Sequence, residues 1–498
     1  MDRHSTEATV KGHSTDETRI CSNGVEIGEV QTRDSLHRDF KSRHVSMIAV
    51  AGAIGTGLII GSGTGLVRGG PASLFIAYSI IGAAVYFLMT ALGEMATMLP
   101  MDKGFSGYAT RFVDPALGYA TGWNYFFKYA IVLPNNLTAA GIIIQYWRPD
   151  LNVAIFIASS TVVIVLINVL NVSFFGEAEF WMSTVKLMVM VMVMIMLILA
   201  CLIISLGGSP SGDQVVGAAF GETPNPRKNV PKAIRQTPWR ITFFYVLGVF
   251  ILGMAVPSDN PRLIWGTKTK VGAAASPFGI AISLAGIKVL PDICNACLLV
   301  FVLSAANSDI YIGSRTLYAL AKYHQAPHIL YRTLNNGVPI FGIVMSLLFT
   351  SLGYMNVSKS SSTVFGHFVS LVPVFGTLNW LSVLLSYLQF TRGMRAQGIS
   401  RKVMPYRGPL QPYGAYFALV ITILFTFFSD YNAFMPEFTL SKFLTCYIGI
   451  IVYLFNIFFW KFFKKTKMVD LTAMDLFSGR TADNNLESSS ARWPWSKR

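Results

Sequence analysis

The sequence predicts an all-α protein that crosses a membrane many times. Three observations carry that expectation. Only 13% of the 498 residues are charged and 53% are hydrophobic, against about 25% charged in an ordinary globular chain. The apolar residues come in long blocks, such as 187–204, LMVMVMVMIMLILACLII. A helix of ~20 such residues spans a bilayer core of about 30 Å; a soluble core helix would explain one block but not a series. The basic residues, which leave a net charge of +15, cluster in short loops between blocks. That is the positive-inside pattern of membrane proteins. With no basic block interleaved with aromatics in a soluble domain, nucleic acid is not an expected partner.

Taken in order, residues 1–44 are polar and lack the apolar core of a signal peptide. They read as a disordered cytoplasmic tail. The candidate spans are 45–67, 72–99, 117–146, 152–171, 181–206, 240–256, 291–314, 338–355, 364–390, 411–429 and 441–460. They make up a transmembrane domain of about eleven spans over 45–467, followed by a second polar cytoplasmic tail over 468–498. Cys294 and Cys297 form a CxxC on an apolar stretch without a second pair, which reads as packing rather than a metal or redox site. His324 and His328 have no third ligand nearby in the sequence and read as loop residues. No metal and no cofactor is expected.

The charges also orient the chain, and they conflict. An inside N-terminus places Arg33, Arg38, Lys41, Arg43, Lys103 and Arg111 inside, with Arg68 and Arg148 outside. Five crossings later the chain is outside. Yet Arg227, Lys228, Lys232, Arg235 and Arg240 follow at once and call for the inside. So do the basic loops at 315–332, 392–407 and 461–467, which alternate with loops that carry few charges. One crossing is missing near 207–222. The apolar fragment Gln214–Phe220 is too short to supply it, since seven residues rise only about 10 Å in a helix.

The motifs resemble those of the fungal amino acid permeases of the amino acid–polyamine–organocation superfamily. RHVSMIAVAGAIGTGLIIGSGTG (43–65), LGEMATMLP (92–100), GYATGWNYFFKYAIVLPNNLTAA (118–140), NPRKNVPKAIR (225–235), SAANSDIYIGSRTLYALA (304–321) and KTKMVDLTAMDL (465–476) occur in that family's order, from about Arg38 to about Arg480. The resemblance implies an inverted five-helix-repeat transporter fold plus two extra helices. It also implies twelve spans. Here the sixth span and the loop before it are mostly lacking, at the place where the charge count loses a crossing.

In such transporters two discontinuous helices meet at mid-membrane and bind substrate with their free ends. Gly55, Thr56 and Gly57 match the family's substrate-contacting turn in the first span. Glycine there frees backbone N–H groups that can hold a carboxylate; close helix packing is the alternative. The partner broken helix would be the missing sixth span. Lys186 corresponds to a family lysine leaning on the first span, where it could exchange protons; the alternative is a lysine snorkelling to the interface. Asn135 and Asn136 lie in the third span, and Asn136 stands where many members carry glutamate. Asn136 cannot titrate, which excludes proton coupling at this position and weakens any preference for cationic substrates. Asn307, Ser308 and Thr377 are further candidate substrate contacts, or simple packing residues. Glu94 reads as structural.

The resemblance therefore implies a secondary transporter that takes up amino acids with protons across the plasma membrane, with both termini cytoplasmic. The expected partners are the amino acid, protons and the lipid bilayer. No phosphate loop, HExxH or nucleophile constellation suggests an enzyme or an ATP-driven pump. The missing span keeps open a non-transporting sensor or an inactive isoform.

Overall fold

The computed structural model describes residues 62–199, 241–264, 290–428 and 440–477, apart from positions 102, 146, 149, 171, 257, 262 and 358. Among the described residues the chain is helical, without strands. The helices are α1 (Ser62–Met98), α2 (Gly104–Phe112), α3 (Pro115–Ile144), α4 (Val153–Leu170), α5 (Val172–Leu199), α6 (Gly248–Ala255), α7 (Leu290–Lys322), α8 (Ile340–Thr350), α9 (Lys359–Ala396), α10 (Tyr413–Phe428) and α11 (Leu440–Lys464). A π-helical segment, Ile241–Leu247, leads into α6. Among the described residues six helices are long and apolar enough to cross a membrane, and two shorter apolar helices accompany them. The protein is an all-α polytopic membrane protein.

Several boundaries differ from those the apolar blocks suggest. The first and second expected spans meet without a loop inside α1. The helix is interrupted at Gly70, whose φ of +73° only glycine adopts without strain, and Pro71 then restarts it. Helix α2 falls in what reads as a loop; it is short, and Phe105, Tyr108 and Phe112 are buried beneath it. Helix α5 begins at Val172 rather than 181, because Glu177 and Glu179 resemble an interface but Glu179 is buried. Helix α3 starts where it should: Asp114 accepts from the Ala116 N–H at 2.8 Å and Pro115 opens the first turn.

The loop ends of both halves gather on one face. Lys461 Nζ donates to Asp114 at 2.8 Å, Arg401 pairs with Glu94, and Asn336 donates to the Leu170 carbonyl at 2.7 Å. The Lys103 ammonium lies 4.8 Å from the Tyr323 ring centroid. The basic loops of the first and second halves therefore share a face, although the sequence count sets them in conflict. Helix α5 leaves this face at Val172. The later segment leaves it too: Phe250 packs on Phe75 and Gly253 on Pro71, so α6 runs antiparallel to α1, which ends at the basic face. The crossing that the charge count finds missing near 207–222 lies outside the described residues.

Helices α3 and α7 form the centre of the bundle and make its most extensive contact. Helix α8 packs on α7 nearly backbone to backbone: a Cβ at Gly342 would sit 2.7 Å from the Ser314 carbonyl oxygen. Val162, Val163 and Leu166 on α4, and Phe455 and Phe458 on α11, point outward, as residues facing lipid do.

Candidate functional site

Four buried ionisable side chains meet near mid-height between α3, α5 and α7. Lys128 stands at the middle of α3, Lys186 at the middle of α5, and Glu179 two turns before Lys186 on the same helix. Asp309 lies near the middle of α7. All are buried, the two lysines at 2% exposure. Lys186 is within electrostatic range of both Glu179 and Asp309, and Lys128 is within range of Asp309. Burying one such charge alone is strongly unfavourable. Here each lies within electrostatic range of an opposite charge, and the two carboxylates accept hydrogen bonds.

Those bonds divide the cluster into two arms. On one arm, Glu179 accepts from the Ser304 hydroxyl and from Asn307 Nδ2, the latter at 3.1 Å. Asn168 on α4 donates to Asn307 Oδ1 at 2.8 Å, so three helices are tied through one amide. Ser304 and Asn307 are three residues apart and share a face of α7. On the other arm, Asn136 Nδ2 donates to Asp309 Oδ2 at 2.8 Å. Lys128 Nζ lies 4.8 Å from the Tyr129 ring centroid, and Tyr129 and Tyr125 meet at their hydroxyls. Between Lys128 and Asn136, Pro134 has no N–H to give the Ala130 carbonyl its helical partner. The site is therefore a polar, charged cluster in an apolar bundle. Such intramembrane ionisable groups mark substrate or ion pathways.

The amino acid permease family model matches residues 44–220 and 209–472. The chain belongs to the amino acid permease family. The two matches meet at 209–220, where the charge count loses a crossing. The permease is 50% identical to an uncharacterised amino-acid permease of Schizosaccharomyces pombe, over 89% of this chain and 92% of the relative. It is 44% identical to the dicarboxylic amino acid permease of Saccharomyces cerevisiae, over 89% and 80%, and 36% identical to the lysine-specific permease LysP of Lactococcus lactis, over 89% and 94%. In fold it is similar to a manganese transporter of Eremococcus coleocola, with a TM-score of 0.50 and 13% identity over 89% of this chain and 97% of that one; this likeness concerns the fold alone.

Among the residues singled out from the sequence, the permease brings Asn136, Asn307 and Lys186 to this cluster. Lys186 is deep in the bundle rather than snorkelling to an interface. Ser308 is buried beside Asn307, and Asn135 is half-buried on α3. Thr377 is buried too, but its hydroxyl donates to the Val374 carbonyl of its own helix α9 at 3.0 Å, outside the cluster. Gly55, Thr56 and Gly57 lie outside the described residues. Glu94 is structural: it accepts from Tyr387 at 2.6 Å, from the Gly408 N–H at 2.7 Å and from Arg401. Sequence reasoning missed Lys128, Asp309, Glu179 and Asn168 as site residues. The signal for Lys128 and Asp309 was present, since each is an ionisable residue inside an apolar block; Glu179 lies just before one.

Proposed function

We propose that this permease imports amino acids together with protons across the plasma membrane, with the basic face and both termini in the cytoplasm and without enzymatic activity. The buried charge cluster carries this reading. It offers a mid-membrane site whose protonation state can differ between the two openings. Lys186, set between two carboxylates, is the proposed proton-handling lysine. Asn136, Asn307 and Ser308 would line the substrate path, and the Gly55–Gly57 turn would receive the α-carboxylate on its backbone N–H groups. Asn135 and Thr377 remain proposed substrate contacts of lesser weight, half-buried and self-bonded respectively.

The proposed substrates are acidic amino acids. Similar permeases carry names as different as dicarboxylic and lysine-specific, so kinship leaves the class open. Glu179 and Asp309 offset the two buried ammonium groups, so the reading rests on the amide at position 136, which removes a carboxylate that would favour a cationic side chain. Labelled glutamate, glutamine and lysine supplied to cells without their own permeases test this. Uptake of glutamate, abolished by a protonophore, is the expected outcome; uptake of lysine instead overturns the substrate assignment.

The crossing expected to be missing near 207–222 favours a second reading, a form that binds but does not transport. The 50% identical relative aligns over 483 positions, while 89% of the 498 residues here take part. The surplus of about forty positions is room for a span of ~20 residues and a loop. Transcripts sequenced between the codons for Leu206 and Glu222 separate the two readings: an added in-frame segment supports the transporter, and a uniform join of Asp213 to Gln214 supports the non-transporting form.

A further inference from the structure

Between the charge cluster and the basic face, α5 and α7 meet through flat groups. The Phe175 ring lies parallel to the Tyr311 ring, with centroids 4.0 Å apart and planes 8° apart. The Arg315 guanidinium carbon lies 3.5 Å from the centre of the same Tyr311 ring. Two planar groups that close cannot share one face of a ring. Tyr311 is therefore sandwiched, with Phe175 of α5 on one side and Arg315 of α7 on the other. Arg315 follows Tyr311 by four positions, which puts both on one face of α7. Phe175 and Tyr311 are buried. A parallel ring on one face and a cation over the other each add to what burial alone contributes.

The level of the stack gives it a consequence. Phe175 stands in the first turn of α5, where that helix leaves the basic face, and Glu179 follows one turn later. Tyr311 comes one turn after Asn307, toward the Lys322 end of α7. Glu179, Ser183, Lys186 and Asn307 lie behind the stack and are buried. Along the α5–α7 seam the cluster is thus shut off from the basic face while the three layers stay together. Helix α5 is also the one placed to yield. Its Phe174, Trp181 and Met188 face outward, whereas α3 and α7 hold each other by the most extensive contact in the bundle. Flat layers part without the unlocking of interdigitated side chains. A stack of this kind biases an equilibrium about tenfold, enough to favour a closed form and little enough to let it open.

We propose that the stack of Phe175, Tyr311 and Arg315 is the inner gate of the permease, shut in this structure, and that movement of α5 away from Tyr311 opens the charge cluster to the basic face. This rests on the transport reading of the same site and deepens it: a carrier closes its mid-membrane site toward one solution before it opens that site toward the other. The gate works through the ring of Tyr311 rather than its hydroxyl. A phenylalanine at this position keeps both contacts, and a leucine removes both.

Ser183→Cys puts a thiol behind the stack, one turn past Glu179, at a buried serine whose hydroxyl has no hydrogen-bond partner among the described residues. The rate at which a small charged methanethiosulfonate modifies that thiol reads the gate without requiring transport. It is followed by mass spectrometry of the peptide, in inside-out and right-side-out vesicles of the full chain. From the basic side, modification in the Ser183→Cys protein is expected to be slow. Adding Tyr311→Leu should speed it roughly tenfold and leave the rate from the opposite side unchanged. Tyr311→Phe should be as slow as its parent. Where Tyr311→Leu does not fold, Phe175→Leu decides, with a smaller rise in the same direction. Rapid modification with the stack intact, no rise in Tyr311→Leu, or a rise as large in Tyr311→Phe overturns the proposal. So does an equal rise from both sides, which marks a general loosening of the bundle. The expected pattern in a chain whose host cells take up no amino acid overturns the transport reading instead.

Discussion

At the scale of single residues, Asp114 shows how one side chain serves several elements. It caps α3, receives Lys461 from α11 at 2.8 Å and receives the Thr466 hydroxyl at 2.9 Å. Burial pushes its carboxyl upward, but the hydrogen bonds from Lys461, Ala116 and Thr466 and the Lys461 charge outweigh it and hold it below the ordinary carboxylate range. A carboxyl depressed in the fold stabilises it above the unfolded value near 3.9, and that contribution is lost as pH falls through the folded value. Asp114→Ala should therefore destabilise by about 1 kcal/mol at neutral pH. Thermal unfolding of wild type and variant at pH 7 and near pH 3 checks it: the gap should shrink in acid, and a constant gap would refute the ionic part. Asp114 was legible as a helix start, since Asp-Pro is a capping signal; its partnership with Lys461, 347 residues away, was not.

At the scale of elements, hydropathy reveals the helices but blurs their ends. Helix α5 extends nine residues earlier than its apolar block because Glu179 is paid for by Ser304 and Asn307 from another helix, and composition along one segment holds no trace of partners on another. Helix packing is likewise decided by small residues whose neighbours are remote. Gly342 on α8 faces the Ser314 backbone at a distance no side chain tolerates. Gly342→Ala should push α8 from α7 and destabilise by about 1–3 kcal/mol. A thermal midpoint in detergent equal to that of wild type would show that α7 yields at no cost. Gly65 and Gly69, which look alike in sequence, belong instead to the short helical piece before the break at Gly70.

At the scale of the whole molecule, the basic face is closed by the segment after α11. Val469 N–H donates to the Val113 carbonyl at 2.9 Å, Gln397 donates to the Leu471 and Met474 carbonyls, and Arg111 pairs with Asp475 at 3.0 Å. Met474 and Leu476 are buried. Residues 465–477 thus tie α2, α3 and α9 together at their basic ends. Leu476→Asp should release them, because an unpaired carboxylate is not stable in an apolar pocket. Limited trypsin digestion at Lys465 and Lys467 reports the release: faster cleavage than in wild type is expected, and unchanged cleavage would show that the ion pair and backbone bonds suffice.

The sequence by itself determined the membrane, the helical class and the resemblance to amino acid permeases. These follow from local quantities: runs of apolar residues, the sign of loops and short motifs. The tertiary structure alone decided that Asn136 meets a carboxylate after all, supplied by Asp309 from α7, and that Lys128 and Lys186 are buried in the same cluster. A charge at mid-membrane survives only with an opposite charge beside it, and which residue stands there depends on how α3, α5 and α7 pack, from positions up to 181 residues apart between Lys128 and Asp309.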